Sequence, residues 1–299
     1  MIEKDPNILS SVDFSAILGV HTWNSKQDIF RRIVLKEVKE PGELLTRGLF
    51  METSHRDMAE HNLKRGGYDV YLKKAKTIFW ETEGVPFRLT GDFMAVPTSR
   101  HRKPLFGVEL KQAHGQQRST WGAVMSDDVP EMYKIQCVMQ CEKYNVPFVI
   151  LDADFSNFSL PTPFLINRDE EYAKHIEAEA VKFWKEHIET GIMPPIDDSD
   201  ACRKTLLERE RWQEKRRDMD EQEVLVAGRI AAMEAELKRI GADLDTETNT
   251  LLDSAGPYEE LTYPVETDDG AVIKKTFCRF SADKNGKRSA RFYPKGFST

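Results

Sequence analysis

Two stretches with the look of interior β-strands carry charges in their middles. "PFRLTGDFMAVP" (residues 86–97) holds Asp92, and "LFGVELKQ" (residues 105–112) holds Glu109 and Lys111, each inside a run of Phe, Val, Leu and Met. Removing an ionised carboxylate from water is costly unless something positive shares its site. The fold must therefore bring these segments to a place where two acids and an amine can share one neighbourhood. Side chains two apart on a strand leave the same face, so Glu109 and Lys111 emerge together while Leu110 points into the core.

The rest of the chain supplies the frame. Short helices are predicted over "SVDFSAILG", closed by Gly19, and "SKQDIFRRIVLKEV", and a longer one over "GELLTRGLFMETSHRDMAEHNLKRGG", ended by Gly66 and Gly67. "KTIFWET" reads as a strand ahead of the two charged segments. "VPEMYKIQCVMQCEKYN" has helical spacing with Pro130 near its start, and "VPFVILDADF" is the apolar, β-branched run of a central strand. The helix "RDEEYAKHIEAEAVKFWKEHIETG" follows, stopped by Gly191. An α/β fold with a mixed central sheet, and a helix between two of its strands, is the architecture this order implies.

"MPPIDDSD" breaks the pattern, which sets three parts: residues 1–195, a charged helical extension over 196–250, and a small basic β segment over 251–299. In the extension Val226, Ile230, Met233, Leu237 and Ile240 follow a 4-3-4-3 spacing, a seam expected to pack on the body or on the other arm of a helical hairpin rather than in an oligomeric coiled coil. "DDG" and "DKNGK" are turn signals for two or three terminal strands.

Composition excludes some classes. With 40% hydrophobic and 31% charged residues, and no apolar run near the roughly 20 residues a bilayer demands, no membrane partner is expected. The start "MIEKDPNILS" does not read as a secretory signal, so a cytoplasmic location is expected. A net charge of -7 argues against indiscriminate nucleic-acid binding, yet residues 271–299 carry eight Lys and Arg against Asp283 alone. There Phe277, Phe280, Phe292 and Tyr293 interleave with the basic residues, which suits either DNA contact with base stacking or an edge hairpin whose aromatics pack inward. Cys137, Cys141, Cys202 and Cys278 include no CxxC and read as reduced thiols, although Cys137 and Cys141 lie four apart on a predicted helix, a spacing open to a metal or an iron-sulfur cluster.

The cation suited to clustered carboxylate oxygens is Mg²⁺, with Mn²⁺ as substitute, which makes Asp92 and Glu109 candidate ligands and the Leu110 carbonyl a third. Lys111 then sits where it can orient a metal-bound water and steady charge growing on a phosphoryl oxygen. Tyr133, Gln136 and Gln140, at one-turn intervals, share a helix face.

Several blocks in order resemble the PD-(D/E)xK nuclease superfamily, and within it the YqaJ-like viral recombinase (lambda exonuclease) family: "SSVDFSAILGVHTWNS", "RGLFMET" with Gly48 and Glu52, "TGDF" with Gly91 where relatives have proline, "VELK", "VPEMYKIQCVMQ", and the closing helix up to "GIMPP". They span residues 10 to about 195. The resemblance implies a restriction-endonuclease-like fold in which Asp92, Glu109 and the Leu110 carbonyl hold the metal and Glu52, on the helix before the sheet, completes the acidic site. It implies that Lys111 positions the water, that Gln136 meets the water, metal shell or scissile phosphate, and that Tyr133 and Gln140 face DNA. The implied reaction is exonucleolytic hydrolysis of linear double-stranded DNA, 5′ to 3′, leaving 3′ single strands for a single-strand annealing protein in phage-type recombination. A homotrimeric ring and a phage or bacterial-host cytoplasm follow by the same analogy.

One departure matters. Relatives carry an arginine before the first block that reads a 5′-phosphate, whereas "EKDPNILSS" offers only Lys4. Exclusive use of 5′-phosphorylated ends is thus not implied, and Arg118 in the loop "QAHGQQRSTWG" is the substitute candidate. The alternatives are another nuclease of the same superfamily, including the iron-sulfur nucleases of CRISPR or helicase-nuclease systems, and a non-catalytic DNA-end-binding module.

Overall fold

A computed structural model describes residues 7–37, 43–99, 103–155, 160–209, 217–256, 258–266, 272–282 and 288–293. The chain divides into two compact units, residues 1–212 and 213–299.

The first unit begins with β1 (Leu9–Ser10), α1 (Ser11–Ile17), α2 (Lys26–Ile33) and α3 (Glu43–Arg65). Ser25 and Asp28 cap α2 reciprocally: the serine hydroxyl accepts from the Asp28 N–H, and the Asp28 carboxylate accepts from the Ser25 N–H. Then come β2 (Val70–Lys74), β3 (Ile78–Thr82), β4 (Val85–Leu89), β5 (Phe93–Pro97) and β6 (Phe106–Gln112). After them follow α4 (Glu131–Tyr144), β7 (Phe148–Asp154), β8 (Thr162–Asn167), α5 (Glu170–Phe183), which continues into a π-helical turn (Trp184–Ile188), and α6 (Asp200–Arg209).

The central sheet has the order β2-β5-β6-β7-β8. Only β6 and β7 run parallel, and α4 makes the crossover that a parallel pair requires. A second sheet has the order β1-β4-β3. The architecture is mixed α/β with helices flanking the sheet, as the alternation of patterns implied. Alternation along β6 divides its side chains between two layers. Phe106 and Val108 join Ala59 and Leu63 of α3 in one apolar cluster, with Leu110 packed against it, so Gly107, Glu109 and Lys111 face α4.

Two expectations are corrected, and two edge strands that the sequence analysis does not name join the central sheet. The stretch 86–97 is not one strand: it breaks at residues 90–92 into β4 and β5, which belong to different sheets. The cause is Gly91, whose N–H donates to the Tyr144 hydroxyl at 2.9 Å instead of to a neighbouring strand, and where a Cβ would lie 3.0–3.1 Å from the Gln140 amide and the Tyr144 ring. β2 and β8 lack the long apolar runs that mark interior strands because they are the sheet's edges. Finally, the proline break near residue 195 does not end the first unit. α6 still packs in it, with Cys202 and Thr205 buried and the Thr205 hydroxyl donating to Asp28 at 2.5 Å.

The second unit holds α7 (Glu221–Ser254), β9 (Glu260–Glu266), β10 (Val272–Ala282) and β11 (Arg288–Phe292), the strands forming an antiparallel sheet β11-β10-β9. Its core is Ala255, Cys278 and Phe280 with Leu252, Leu261, Phe277 and Phe292 packed around them. α7 is one continuous helix of 34 residues, and the rest of the second unit leaves its seam uncovered. The turn signals at 268–270 and 283–287 lie outside the described residues. No helix among the described residues is long and apolar enough to cross a membrane.

Candidate active site

The site grows from the antiparallel pairing of β5 with β6. Phe93 lies opposite Val108 and Met94 opposite Gly107, and one further step of that register sets Asp92 across from Glu109 on the α4 face. Asp92 is held there by the Leu110 N–H, which donates to Oδ2 at 2.8 Å. A strand residue's N–H and C=O project toward the same neighbouring strand, so the Leu110 carbonyl points to the Asp92 side as well.

Glu109 is the buried centre, 1% exposed. Its Oε1 accepts from Lys111 Nζ and from Gln136 Nε2, both at 2.7 Å, and its Oε2 accepts from Gln140 Nε2 at 2.7 Å. Lys111 Nζ stands 5.4 Å from the centre of the Tyr133 ring. One-turn spacing on α4 thus delivers Tyr133, Gln136 and Gln140 to one cluster with Glu109 and Lys111. A carboxylate offers about four lone-pair directions. Three are taken on Glu109, which leaves room for one more ligand beside Asp92.

The charges are unbalanced. Burial, reinforced by the Glu109 charge, pushes the Asp92 carboxyl up to about 7, although Lys111 and the Leu110 N–H pull it back. Burial opposes the Lys111 ammonium, but Glu109 and Asp92 outweigh it and hold the group protonated above its ordinary range. Two facing carboxylates with one ammonium are one positive charge short. The donor set of two carboxylates and a carbonyl, all hard oxygens, fits Mg²⁺ or Mn²⁺.

Glu52 does not join this set. Among the described residues no group of three or more His, Cys, Asp or Glu gathers as a metal cage. Glu52 instead pairs with Lys74 at 2.5 Å, and that ammonium lies over the Phe93 ring at 4.8 Å. Arg118 is likewise committed to its own loop. Its Nη1 donates to the Trp121 and Gly122 carbonyls at 2.8 and 3.0 Å, and its guanidinium stacks near Phe155 and Phe164. Lys4 lies outside the described residues.

Cys137 and Cys141 are fully buried thiols pushed up by burial, Cys141 to about 12, and Cys141 donates to the Ile166 carbonyl. They are core residues. In the second unit Phe277, Phe280 and Phe292 pack inward, the bland alternative for that segment, while Tyr293 is exposed.

No family model and no curated protein matches the chain. Solved structures do. An alkaline exonuclease from Laribacter hongkongensis is similar with a TM-score of 0.47 and 15% identity over 62% of this chain and 90% of that one. A phage-related exonuclease from Haemophilus somnus is similar with a TM-score of 0.43 and 14% identity over 61% of this chain and 96% of that one.

The geometry adds residues that sequence reasoning missed. Tyr144 continues the face of Tyr133, Gln136 and Gln140 by one more turn, and its hydroxyl accepts from Gly91 N–H and donates to the Lys76 carbonyl at 2.8 Å. It fixes the turn that carries Asp92, and the 133-136-140-144 spacing was the signal for it. Lys74 is a second cation near Asp92. On the α3 side, His55 and Asp152 form a buried pair 3.6 Å apart, with Asp152 in register with Leu110.

Proposed function

We propose that this chain is a Mg²⁺-dependent deoxyribonuclease, an exonuclease on linear double-stranded DNA that digests 5′ to 3′ and leaves 3′ single strands for a single-strand annealing partner. The observation that carries it is the facing pair Asp92 and Glu109 with Lys111 on the same strand face, 2.7 Å from Glu109. A DNA-binding module has no use for two carboxylates that repel phosphate. A hydrolase needs them.

Asp92, Glu109 and the Leu110 carbonyl would hold the metal, with Mn²⁺ as substitute. When bound, it supplies a water of lowered pKa and neutralises charge on the phosphoryl oxygens. The chain's own groups do the remaining work. Gln136 and Gln140 fix both oxygens of Glu109, the kind of outer support that orients a ligating carboxylate. Lys111, held protonated, cannot serve as a base; it orients the nucleophilic water and offsets charge as the phosphorus is attacked. Tyr133 lines the approach beside Lys111 on the helix that DNA would meet. Glu52 and Lys74 form a neighbouring ion pair, and opening it would free an ammonium for the backbone phosphates.

Duplexes labelled at either end, with and without 5′-phosphate, test the proposal in Mg²⁺. Release of the 5′ label first, from linear but not sealed circular DNA, is the expected result. Intact linear DNA after incubation in Mg²⁺ and Mn²⁺ would leave only an end-binding role, and release from circles would make the enzyme an endonuclease.

A further inference from the structure

The face of the central sheet turned toward α3 also holds a carboxyl group among apolar side chains. Asp152 follows Ile150 at the two-residue step of β7, so both leave the strand on the side where Ile150 joins Ala59 and Leu63 of α3 in one apolar cluster. A cavity of about 370 Å³ lies there, entirely within the first unit, with Leu63, Val108, Met125, Ile150, Asp152 and Pro163 in its walls. That is the size of a small-molecule site, room for about a dozen waters, and far beyond a packing defect. Its rim is tied in place: Asn62 Nδ2 of α3 donates to the Pro161 carbonyl at 3.1 Å, and the Met125 N–H donates to the Pro163 carbonyl at 2.9 Å. Asp152 is 2% exposed, yet its Oδ2 has no hydrogen-bond partner. His55 Nε2 stands 3.6 Å from it, too far for a hydrogen bond, and is equally without a partner. A buried carboxyl oxygen left without a donor costs stability, so its retention in a cavity wall points to a ligand that meets it.

We propose that this cavity binds a small organic amine, its ammonium on Asp152 and its apolar stem along Leu63, Val108, Ile150 and Met125. The walls choose the ligand class. Among the described residues that line the cavity none is Lys or Arg, so the chain itself offers the carboxylate no cation there. A charged donor meets a carboxylate more strongly than a neutral one, and an anion is repelled. A bare metal ion does not suit the place. It needs several oxygen, nitrogen or sulfur ligands, and among the described residues no third His, Cys, Asp or Glu joins His55 and Asp152. An aliphatic amine satisfies both parts at once, since its head supplies the missing donor and its stem fills apolar space. The site stands back to back with the carboxylate cluster: Val108 faces the cavity, and Glu109, the next residue of β6, faces Gln136 and Gln140 on the opposite side of the sheet.

Titration of the full chain, carrying ¹³C-methyl methionine, with hexylamine, hexanol and hexanoate tests this. The Met125 methyl resonance, identified by its loss in Met125→Leu, is the readout. Hexylamine should shift it saturably, at a concentration about tenfold lower than hexanol, which has the same stem without the charge. Hexanoate should be weaker still. Asp152→Asn keeps the shape of the side chain and removes its charge, so it should erase the advantage of the amine over the alcohol. No saturable shift with hexylamine, equal binding of amine and alcohol by the wild type, or a preference for the amine that survives in Asp152→Asn would each overturn the proposal. The comparison of the three ligands on the wild type decides even where the exchanged protein does not fold.

Discussion

α4 and α7 break the usual partition of polar and apolar side chains in opposite directions. α4 is 14 residues long and buries eight of them, Gln136 and Gln140 included, against a glutamate inside the first unit. α7 is 34 residues long and buries none, while eight of its large apolar side chains are exposed. An exposed leucine or a surface glutamine alone would mean little, since most protein surface is apolar and most glutamines are wet. Buried amides that converge on one carboxylate, and exposed hydrophobes that keep heptad register, are both arrangements that folding alone does not reward. One gathers polar groups around a buried carboxylate, and the other leaves an apolar face that its own unit does not cover.

The strongest way to break the comparison is at Lys111, the cationic member of the α4 cluster. Lys111→Ala should lower Mg²⁺-dependent nucleotide release about 10²- to 10³-fold, the loss typical of one charge-stabilising donor. The variant should still bind duplex ends. A rate within threefold of wild type in a single-turnover assay would mean that the α4 cluster is a folding feature and not a site.

Much of this cluster was legible in the sequence because it obeys two short-range periods. The two-residue repeat of a strand placed Glu109 with Lys111, and one-turn helical spacing placed Tyr133, Gln136 and Gln140 together. What failed depended on distant contacts. The break between β4 and β5 rests on the Tyr144 hydroxyl reaching Gly91, 53 positions away, which no local pattern reports. Glu52 was placed with the acids by resemblance alone, and the competing partner Lys74, 22 positions on, became visible only once β2 was seen as the sheet's edge. α6 reads like the rest of a charged extension until the Thr205 hydroxyl is seen capping the polar end of α2 through Asp28.

A second test sharpens the electrostatic side. The Asp92 carboxyl sits at about 7 in the fold, against roughly 3.9 in an unfolded chain. Between those values the native state holds a proton that the unfolded state has released, so stability falls as pH rises through the window, by up to about 1.4 kcal/mol per unit. In chelator, the melting temperature should therefore decline from about pH 4 to about pH 7 from this group, and Asp92→Asn should flatten that part of the curve. Adding Mg²⁺ above pH 7 should return the lost stability to the wild type and not to Asp92→Asn. An identical pH profile in the two proteins would remove Asp92 from the strained pair.

Gln140→Ala probes the amide clasp directly. It strips the donor from Glu109 Oε2 and leaves a buried acceptor unmet, a loss of about 1–3 kcal/mol by urea unfolding. Its expected signature is a fall in turnover larger than any change in duplex affinity, because Glu109 would lose its fixed orientation while the DNA-facing surface stays intact. A stable variant with normal turnover would reduce Gln140 to packing.

The smallest effect is expected at Tyr144, where the two sides of the comparison meet in one residue: an aromatic ring packed against the core and a hydroxyl that works on backbone. Tyr144→Phe keeps the ring and its burial, and removes only the group that accepts from Gly91 N–H and donates to the Lys76 carbonyl. The net cost should be about 1 kcal/mol, one hydrogen bond's worth with its partners partly reached by water. Activity is the sharper readout. The Gly91 turn carries Asp92 into the register that sets it opposite Glu109, so loosening it should weaken activation by Mg²⁺, raising the metal concentration at half-maximal rate, while the rate at saturating Mg²⁺ stays near wild type. A variant with unchanged metal dependence and the same 1 kcal/mol loss would show that the hydroxyl only stabilises the turn, and that Asp92 is held in place by the Leu110 N–H alone.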